Sequence, residues 1–281
     1  MMALALQDSF LPEAATPRMN RAEGRVSACF KASLRGTHVA ELYESGGYRL
    51  KFPRAEICEA VLVNTGGGMV GGDELSVDLQ ADHGAELVLT TQSAEKIYRA
   101  EGAPAEISIC LKLDAHAHID WIPQETILFS GARLARKFTV EMAHDASLLI
   151  FESTVFGRIA MGETMTFGSF RDQWRIRRDH KLIYADDVKL ENNMAAMLAR
   201  KAIGKGARTV ATCLYIAPDA EARLEDVREA LRDAACECAA SAWNGMVNIR
   251  FVSSDPAMLR KSTIAFLTRF RNSELPRVWQ C

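Results

Sequence analysis

In one short segment after another, apolar residues of this chain recur at every second position. Val26, Ala28 and Phe30 alternate with polar neighbours, and Leu75, Val77 and Leu79 enclose Ser76 and Asp78. The same signal runs through 56–64, 86–91, 106–113, 116–122, 137–142, 147–151, 169–176 and 181–190. Turn residues such as Gly46-Gly47 and Asp82-His83-Gly84 separate many of these runs. A period of two places alternate side chains on opposite faces of an extended strand, and many short strands divided by turns specify an all-β architecture. The pattern covers roughly the first 190 residues.

Helical spacing appears late. Asp219 is a candidate cap for a helix reaching about Ser241, with Leu224, Val227, Ala230, Leu231 and Ala235 on one face. Asp255-Pro256 signals a second start, with Asp as cap and Pro at the first helical position, and Leu259, Phe266, Leu267 and Phe270 line its apolar face. Residues 191–201 suit a short helix, and 246–252 reads as one more strand. Residues 1–20 contain Leu11-Pro12 and Thr16-Pro17, offer little apolar surface, and read as a flexible tail. The expectation is one domain over 21–281, β-rich to about 190 and helix-containing after that, with no internal repeat.

Composition removes several function classes. A chain of 281 residues with net charge −2 carries no electrostatic footprint for nucleic acid or an anionic membrane. Seven cysteines, irregularly spaced and without a CxxC pair, argue against a disulfide framework and for a reducing cytoplasm. No stretch approaches the ~18 apolar residues of a membrane span. Neither a GxSxG elbow nor an HExxH zinc motif occurs.

The most unusual segment is Val61–Asp73, with Gly66, Gly67, Gly68, Gly71 and Gly72 packed into seven residues. Gly66, Gly68 and Gly71 spell GxGxxG after a strand. A dinucleotide site requires a helix next, because the pyrophosphate rests on its N-terminus, yet Glu74–Leu79 alternates like a strand. A nucleotide-binding enzyme built on this loop is therefore a weak alternative. A glycine-rich connection whose backbone is closely approached, or which faces a partner, is the stronger reading. A second polar segment, Leu89–Arg99, offers Glu95, Lys96 and Arg99 either to a partner or to solvent. A third, Trp121–Thr126, sets Gln124 and Glu125 beside a tryptophan and a proline.

Candidate metal ligands are sparse. His116 and His118, two apart in a strand-like run, would share one face; the alternative is two half-exposed histidines at a sheet surface. Cys58 and Glu59 are a further candidate pair, although Cys58 also reads as a buried small hydrophobe. Cys236 and Cys238 fall in the expected first helix, where i and i+2 do not face each other. Residues 171–181 are basic and contain Trp174; they read as a hairpin with a solvated face rather than a nucleic-acid surface.

The ordered set LVNTGGGMVGGDELSVD (62–78), LTTQSAEKIYR (89–99), WIPQETILFSGARL (121–134), FGRIAMGE (156–163), WRIRRDHKLIYAD (174–186) and terminal PRVW (276–279) resembles the UreD (UreH) family of urease accessory proteins from about Gly24 to Trp279. The resemblance implies a mainly β, elongated, β-helix-like fold with a few helices towards the C-terminus. It implies no catalysis and no permanently bound cofactor. The implied role is in nickel insertion into apo-urease, with UreF and the GTPase UreG as partners and Ni²⁺ in transit. Carried onto this sequence, it makes Gly66, Gly67, Gly68, Gly71, Gly72, Asp73, Thr90, Thr91, Glu95, Lys96, Tyr98, Arg99, Gln124 and Glu125 candidates for partner docking or nickel passage. Asp73, Glu95 and Glu125 would be exchangeable oxygen stations. Two departures stand out: Cys58-Glu59 where the family often has Cys-His, and His180 where many members have a glycine. An all-β binding module of another function is the remaining alternative.

Overall fold

A computed structural model describes residues 21–280. The expected tail at 1–20 and Cys281 lie outside the described residues. In chain order the strands are β1 (Glu23–Lys31), β2 (His38–Ser45), β3 (Tyr48–Lys51), β4 (Cys58–Asn64), β5 (Glu74–Ala81), β6 (Glu86–Thr91), β7 (Glu95–Ile97), β8 (Ala105–Leu113), β9 (His118–Trp121), β10 (Thr126–Leu128), β11 (Arg133–Met142), β12 (Ser147–Phe156), β13 (Phe167–Arg178) and β14 (Lys181–Asn193). Then follow α1 (Met194–Ala199), β15 (Thr209–Ile216), α2 (Leu224–Leu231), β16 (Glu237–Trp243), β17 (Met246–Ser253) and α3 (Pro256–Arg271).

The strands form two facing sheets. A seven-stranded sheet runs β14-β13-β11-β8-β5-β1-β2, and a ten-stranded sheet contains β16-β17-β15-β12-β9-β6-β4-β3 with β7 and β10 attached. From β4 to β13 the chain crosses alternately between them, and the successive strands within each sheet pair in parallel. The result is a solenoid-like coil of stacked rungs, mainly β, with the helices α2 and α3 near the C-terminus. This is the expected fold class.

Within this coil the returns from the first sheet to the second at β5–β6, β8–β9 and β11–β12 are tight turns of one form. The amide of Ala85 bonds Asp82 O, that of Ala117 bonds Asp114 O, and that of Ala146 bonds Ala143 O. All three alanines are buried, because any larger side chain there would enter the core between the sheets. The turns also bond to one another, Gly84 N–H to Ala115 O and Ala143 N–H to Leu113 O. This makes a structural repeat, ADHGAELVL, LDAHAHIDW and MAHDASLLI, which the sequence reading did not detect. Only the alanine and the flanking apolar positions recur, since little else in the turn is constrained.

The two sheets differ in burial, and that difference explains the sequence pattern. The first sheet has one face against the core and one in water, so β5 alternates strictly. The second sheet is covered twice. In β12 Leu148 and Ile150 face the inter-sheet core, while Leu149 and Phe151 face a second core under α3. That core joins Val247, Ile249 and Phe251 of β17 to Leu259, Phe266 and Phe270 of α3. The start of α3 is as expected: Asp255 accepts from the Ala257 amide at 2.9 Å, and Pro256 opens the helix.

The first expected helix is corrected. After a short 3-10 turn it runs only through α2, and Asp219 makes no capping bond but accepts from the Tyr215 hydroxyl at 2.9 Å. Residues 237–243 are instead strand β16, paired along its length with β17. Tertiary pairing here overrides the helix propensity of an alanine-rich run. Cys238 therefore lies on a strand and Cys236 just before it. The hairpin expected at 171–181 is present and extends along β13 and β14. Its turn puts both Asp179 and His180 at positive φ, as a two-residue type I′ turn demands.

One ionic cluster lies inside the inter-sheet core. Arg136 of β11 is 3% exposed and bonds both Asp172 of β13 and Glu152 of β12. Trp121 donates to Glu152 at 2.8 Å and Trp174 to Asp172 at 3.0 Å. Burial works against the Arg136 charge, but the two carboxylates outweigh it and keep the guanidinium protonated. Removing one partner of such a cluster strands the others without water. Arg136→Met is expected to cost about 3–5 kcal/mol in urea denaturation, whereas a loss below about 1 kcal/mol would mean the two carboxylates do not depend on it.

Candidate functional site

The connections that return from the second sheet to the first are long, and they carry the unusual sequence motifs. They stack in chain order along one edge. Met69 of the glycine loop bridges Ile97 of β7, β7 pairs with β10, and β10 pairs with the end of β12. Backbone bonds from Met69 N–H to Lys96 O (2.7 Å), Glu95 N–H to Glu125 O (3.0 Å) and Gly157 N–H to Leu128 O (2.7 Å) tie neighbouring rungs. Arg158, from the FGRIAMGE stretch, pairs with Glu163 and lies 4.7 Å over the Phe129 ring. Four motif segments distant in sequence thus become one edge.

In the glycine loop, close approach decides the residue type. A Cβ on Gly68 (φ 147°) would stand 2.5 Å from the Tyr98 ring and 2.7 Å from Lys96 O. One on Gly71 would meet Ala100 Cβ at 2.4 Å and Ala103 O at 2.5 Å. Gly67 (φ 75°) and Gly72 (φ 85°) need the left-handed region, and Gly66 N–H bonds the Asn64 side chain at 2.9 Å. β5 follows the loop, so it has no helix N-terminus to receive a phosphate. The Tyr98 hydroxyl donates to Gly67 O at 2.9 Å and so joins the second motif to the first.

The three carboxylates proposed from sequence have different surroundings. Asp73 is buried and accepts two backbone amides, from Ala22 at 2.9 Å and Val70 at 2.8 Å. Glu125 accepts from Arg260 of α3 at 2.8 Å. Glu95 accepts from the Asn64 amide at 2.9 and 3.2 Å; burial lifts its pKa to about 7 against the opposing pull of that amide. It borders a small recess with Asn64, Gly67, Gly68, Thr91 and Lys96.

Gln124 and Glu125 do more structural work than the sequence revealed. Arg260 donates to Glu125, Gln124 Oε1 (3.1 Å) and Trp279 O (3.2 Å), and lies 5.2 Å over the Trp279 ring. Gln124 in turn donates to Val278 O at 2.7 Å, and Trp279 Nε1 donates to Thr90 at 3.0 Å. Thr91 accepts the Gln124 amide. The terminal PRVW segment is thereby locked to the second and third motifs. Arg260 carried no sequence signal, since it is one of several arginines on a helix. What remains exposed on the edge is Thr65 to Gly67, Gln92, Ser93, Lys96 and Arg99.

The expected metal pairs are not assembled as the sequence suggested. His116 sits at positive φ in a turn, not on the strand with His118, and its Nδ1 lies 3.2 Å from Asp145. His118 has both ring nitrogens engaged, with Ser147 at 2.6 Å and Asp120 at 2.9 Å, and Arg271 braces Asp120 at 2.7 Å. Cys58 packs against the inter-sheet core, and the next side chain, Glu59, faces a groove beside Arg271. Burial raises the pKa of both. No three His, Cys, Asp or Glu among the described residues are arranged to hold a metal. In the basic hairpin the arginines are spent locally: Arg175 on Trp174 O and Asp186 O, Arg177 on Glu141, Arg178 on Asn244 O.

The structure defines a class of fold, a mainly β solenoid of two facing sheets whose motif segments stack along one edge. Comparison with known proteins gives the class its family. Residues 22–280 match the family described as UreD urease accessory protein. The chain is 44% identical to the urease accessory protein UreD of Azorhizobium caulinodans over 95% of its length and 99% of that protein. It is 46% identical to the UreD proteins of Xanthobacter autotrophicus and a Methylobacterium species, over 92% and 96% of its length and 90% and 98% of theirs. The chain belongs to the UreD family, whose members are accessory proteins and not enzymes.

Two outcomes test this geometry. Gly68→Ala should cost about 2 kcal/mol or more in thermal or urea unfolding, because the clash is with backbone and a ring, whereas Gly67→Asn should cost under about 1 kcal/mol. For Glu95 the folded pKa lies above the ordinary 4.5, so its stabilising contribution is full below pH 4.5 and disappears as pH rises through about 7. The Tm of Glu95→Gln relative to the parent should therefore rise between pH 5 and pH 8; a constant difference would contradict the raised pKa.

Proposed function

We propose that this chain is a cytoplasmic scaffold for urease maturation. It docks apo-urease and the accessory protein UreF and takes part in inserting Ni²⁺ brought by the GTPase UreG. The observation that carries the reading is the stacking of four family-like motif segments into one partly exposed edge, where Gly68 and Gly71 of the five-glycine loop lie close against the neighbouring rung. A loop tied to the next rung by backbone bonds and flanked by exposed Lys96 and Arg99 suits docking onto a larger protein, since less conformational entropy remains to be lost. Among the three carboxylates, Glu95 is the best oxygen station for an ion in transit. It borders a recess and holds its charge weakly, whereas Asp73 and Glu125 shape the edge through their amide and arginine partners. No helix among the described residues is long and apolar enough to cross a membrane.

The test is co-expression of the urease subunits and the other accessory proteins with the parent chain, without it, or with the double variant Lys96→Glu/Arg99→Glu. Both side chains are exposed, so the fold should persist. The expected result is nickel-poor urease without the chain and at least a tenfold loss of activity with the variant. Full urease activity without the chain would overturn the maturation role, and full activity with the variant would overturn the docking edge.

A further inference from the structure

The opposite edge of the solenoid, made of the tight turns, carries histidines that the motif edge does not use. His83 lies in the first turn, His116 in the second and His144 in the third, and His180 lies in the β13–β14 turn beside them. All four are exposed. His144 and His180 are oriented towards Asp179 and Glu141 at 4.0 Å each. His83 and His116 meet edge to face, with their ring centres 5.3 Å apart and the planes at 79°. Two imidazoles sharing one ion at the usual metal–nitrogen distance of about 2.0–2.1 Å have ring centres about 5 Å apart.

Asp145 supplies the second feature of such a site. It engages His116 twice, accepting the backbone amide at 3.2 Å and approaching Nδ1 at 3.2 Å. A carboxylate on one ring nitrogen fixes the tautomer that offers the other nitrogen to a metal and raises its basicity. The left-handed backbone at His116 (φ 58°) and the hydrogen bond from Gly84 N–H to Ala115 O hold the two turns in register.

We propose that His83 and His116, with Asp145 orienting His116, bind one divalent transition-metal ion of the imidazole-preferring kind. Two protein ligands leave the remaining positions to water, so binding is reversible and of modest affinity. An edge-to-face aromatic contact alone would also hold the rings, and the experiment separates the two. It uses the full chain and requires no urease, so its result is independent of the maturation role.

Histidine rings are labelled at Cε1 and followed by NMR while Ni²⁺ is added, with the affinity read by equilibrium dialysis. Substoichiometric Ni²⁺ should broaden the His83 and His116 resonances first and leave His118 sharp. The His83→Gln/His116→Asn double variant, with Asn chosen for its tolerance of positive φ, should bind Ni²⁺ at this site at least 30-fold more weakly. Asp145→Asn should weaken it about tenfold. As a second readout, Zn²⁺ should protect both rings from acylation by diethyl pyrocarbonate. Broadening centred on other residues, unchanged affinity in the double variant, or no protection by Zn²⁺ would overturn the proposal.

Discussion

Parallel pairing of successive rungs is the constraint on which the rest of the molecule depends. Parallel strands need crossover connections, and here each crossover is a passage to the facing sheet and back. The outward return is a turn closed by one hydrogen bond and a buried alanine; the inward return is long enough to hold loops and short strands. Because the rungs are stacked, whatever the long returns contain is stacked too. The glycine loop, the Thr90–Arg99 segment and the Gln124–Glu125 segment become neighbours through the coil, without any direct sequence relation.

Two further features hold the coil in one arrangement. The cluster of Arg136, Glu152 and Asp172 crosses the inter-sheet core and ties β11 and β13 to β12, with Trp121 and Trp174 completing its hydrogen bonds. On the outside, α3 and the C-terminal segment cover the second sheet. Through Arg260 and Trp279 they reach back to Gln124, Glu125 and Thr90. The motif edge is thus fixed from behind by residues more than a hundred positions later in the chain.

Much of the fold was legible wherever one sheet face meets water. Val26-Ala28-Phe30 and Leu75-Val77-Leu79 alternate because the first sheet is covered once. The second sheet was harder to read, since β12 is apolar on both faces and its period is lost. β16 was read as helix because alanine and cysteine fit either state, and only β17 beside it decides. The turn repeat was missed because its shared element is a single small residue. The glycine loop was recognised as a site of close backbone approach, but its neighbours Ala100, Ala103 and Tyr98 come from another rung. Local spacing likewise could not show that His116 leaves the strand, because a histidine tolerates the left-handed turn that takes it there.

The proposed docking role makes a specific claim: the surface that meets the urease machinery is the edge built from 64–72 and 92–99. Hydrogen–deuterium exchange of the full chain, alone and with apo-urease and UreF, tests it most directly. The account predicts that protection on complex formation concentrates in those two segments, with the tight-turn edge around 82–85 and 114–117 unchanged. Protection confined to the tight-turn edge or to the exposed face of the first sheet, with 64–72 and 92–99 exchanging as before, would contradict it.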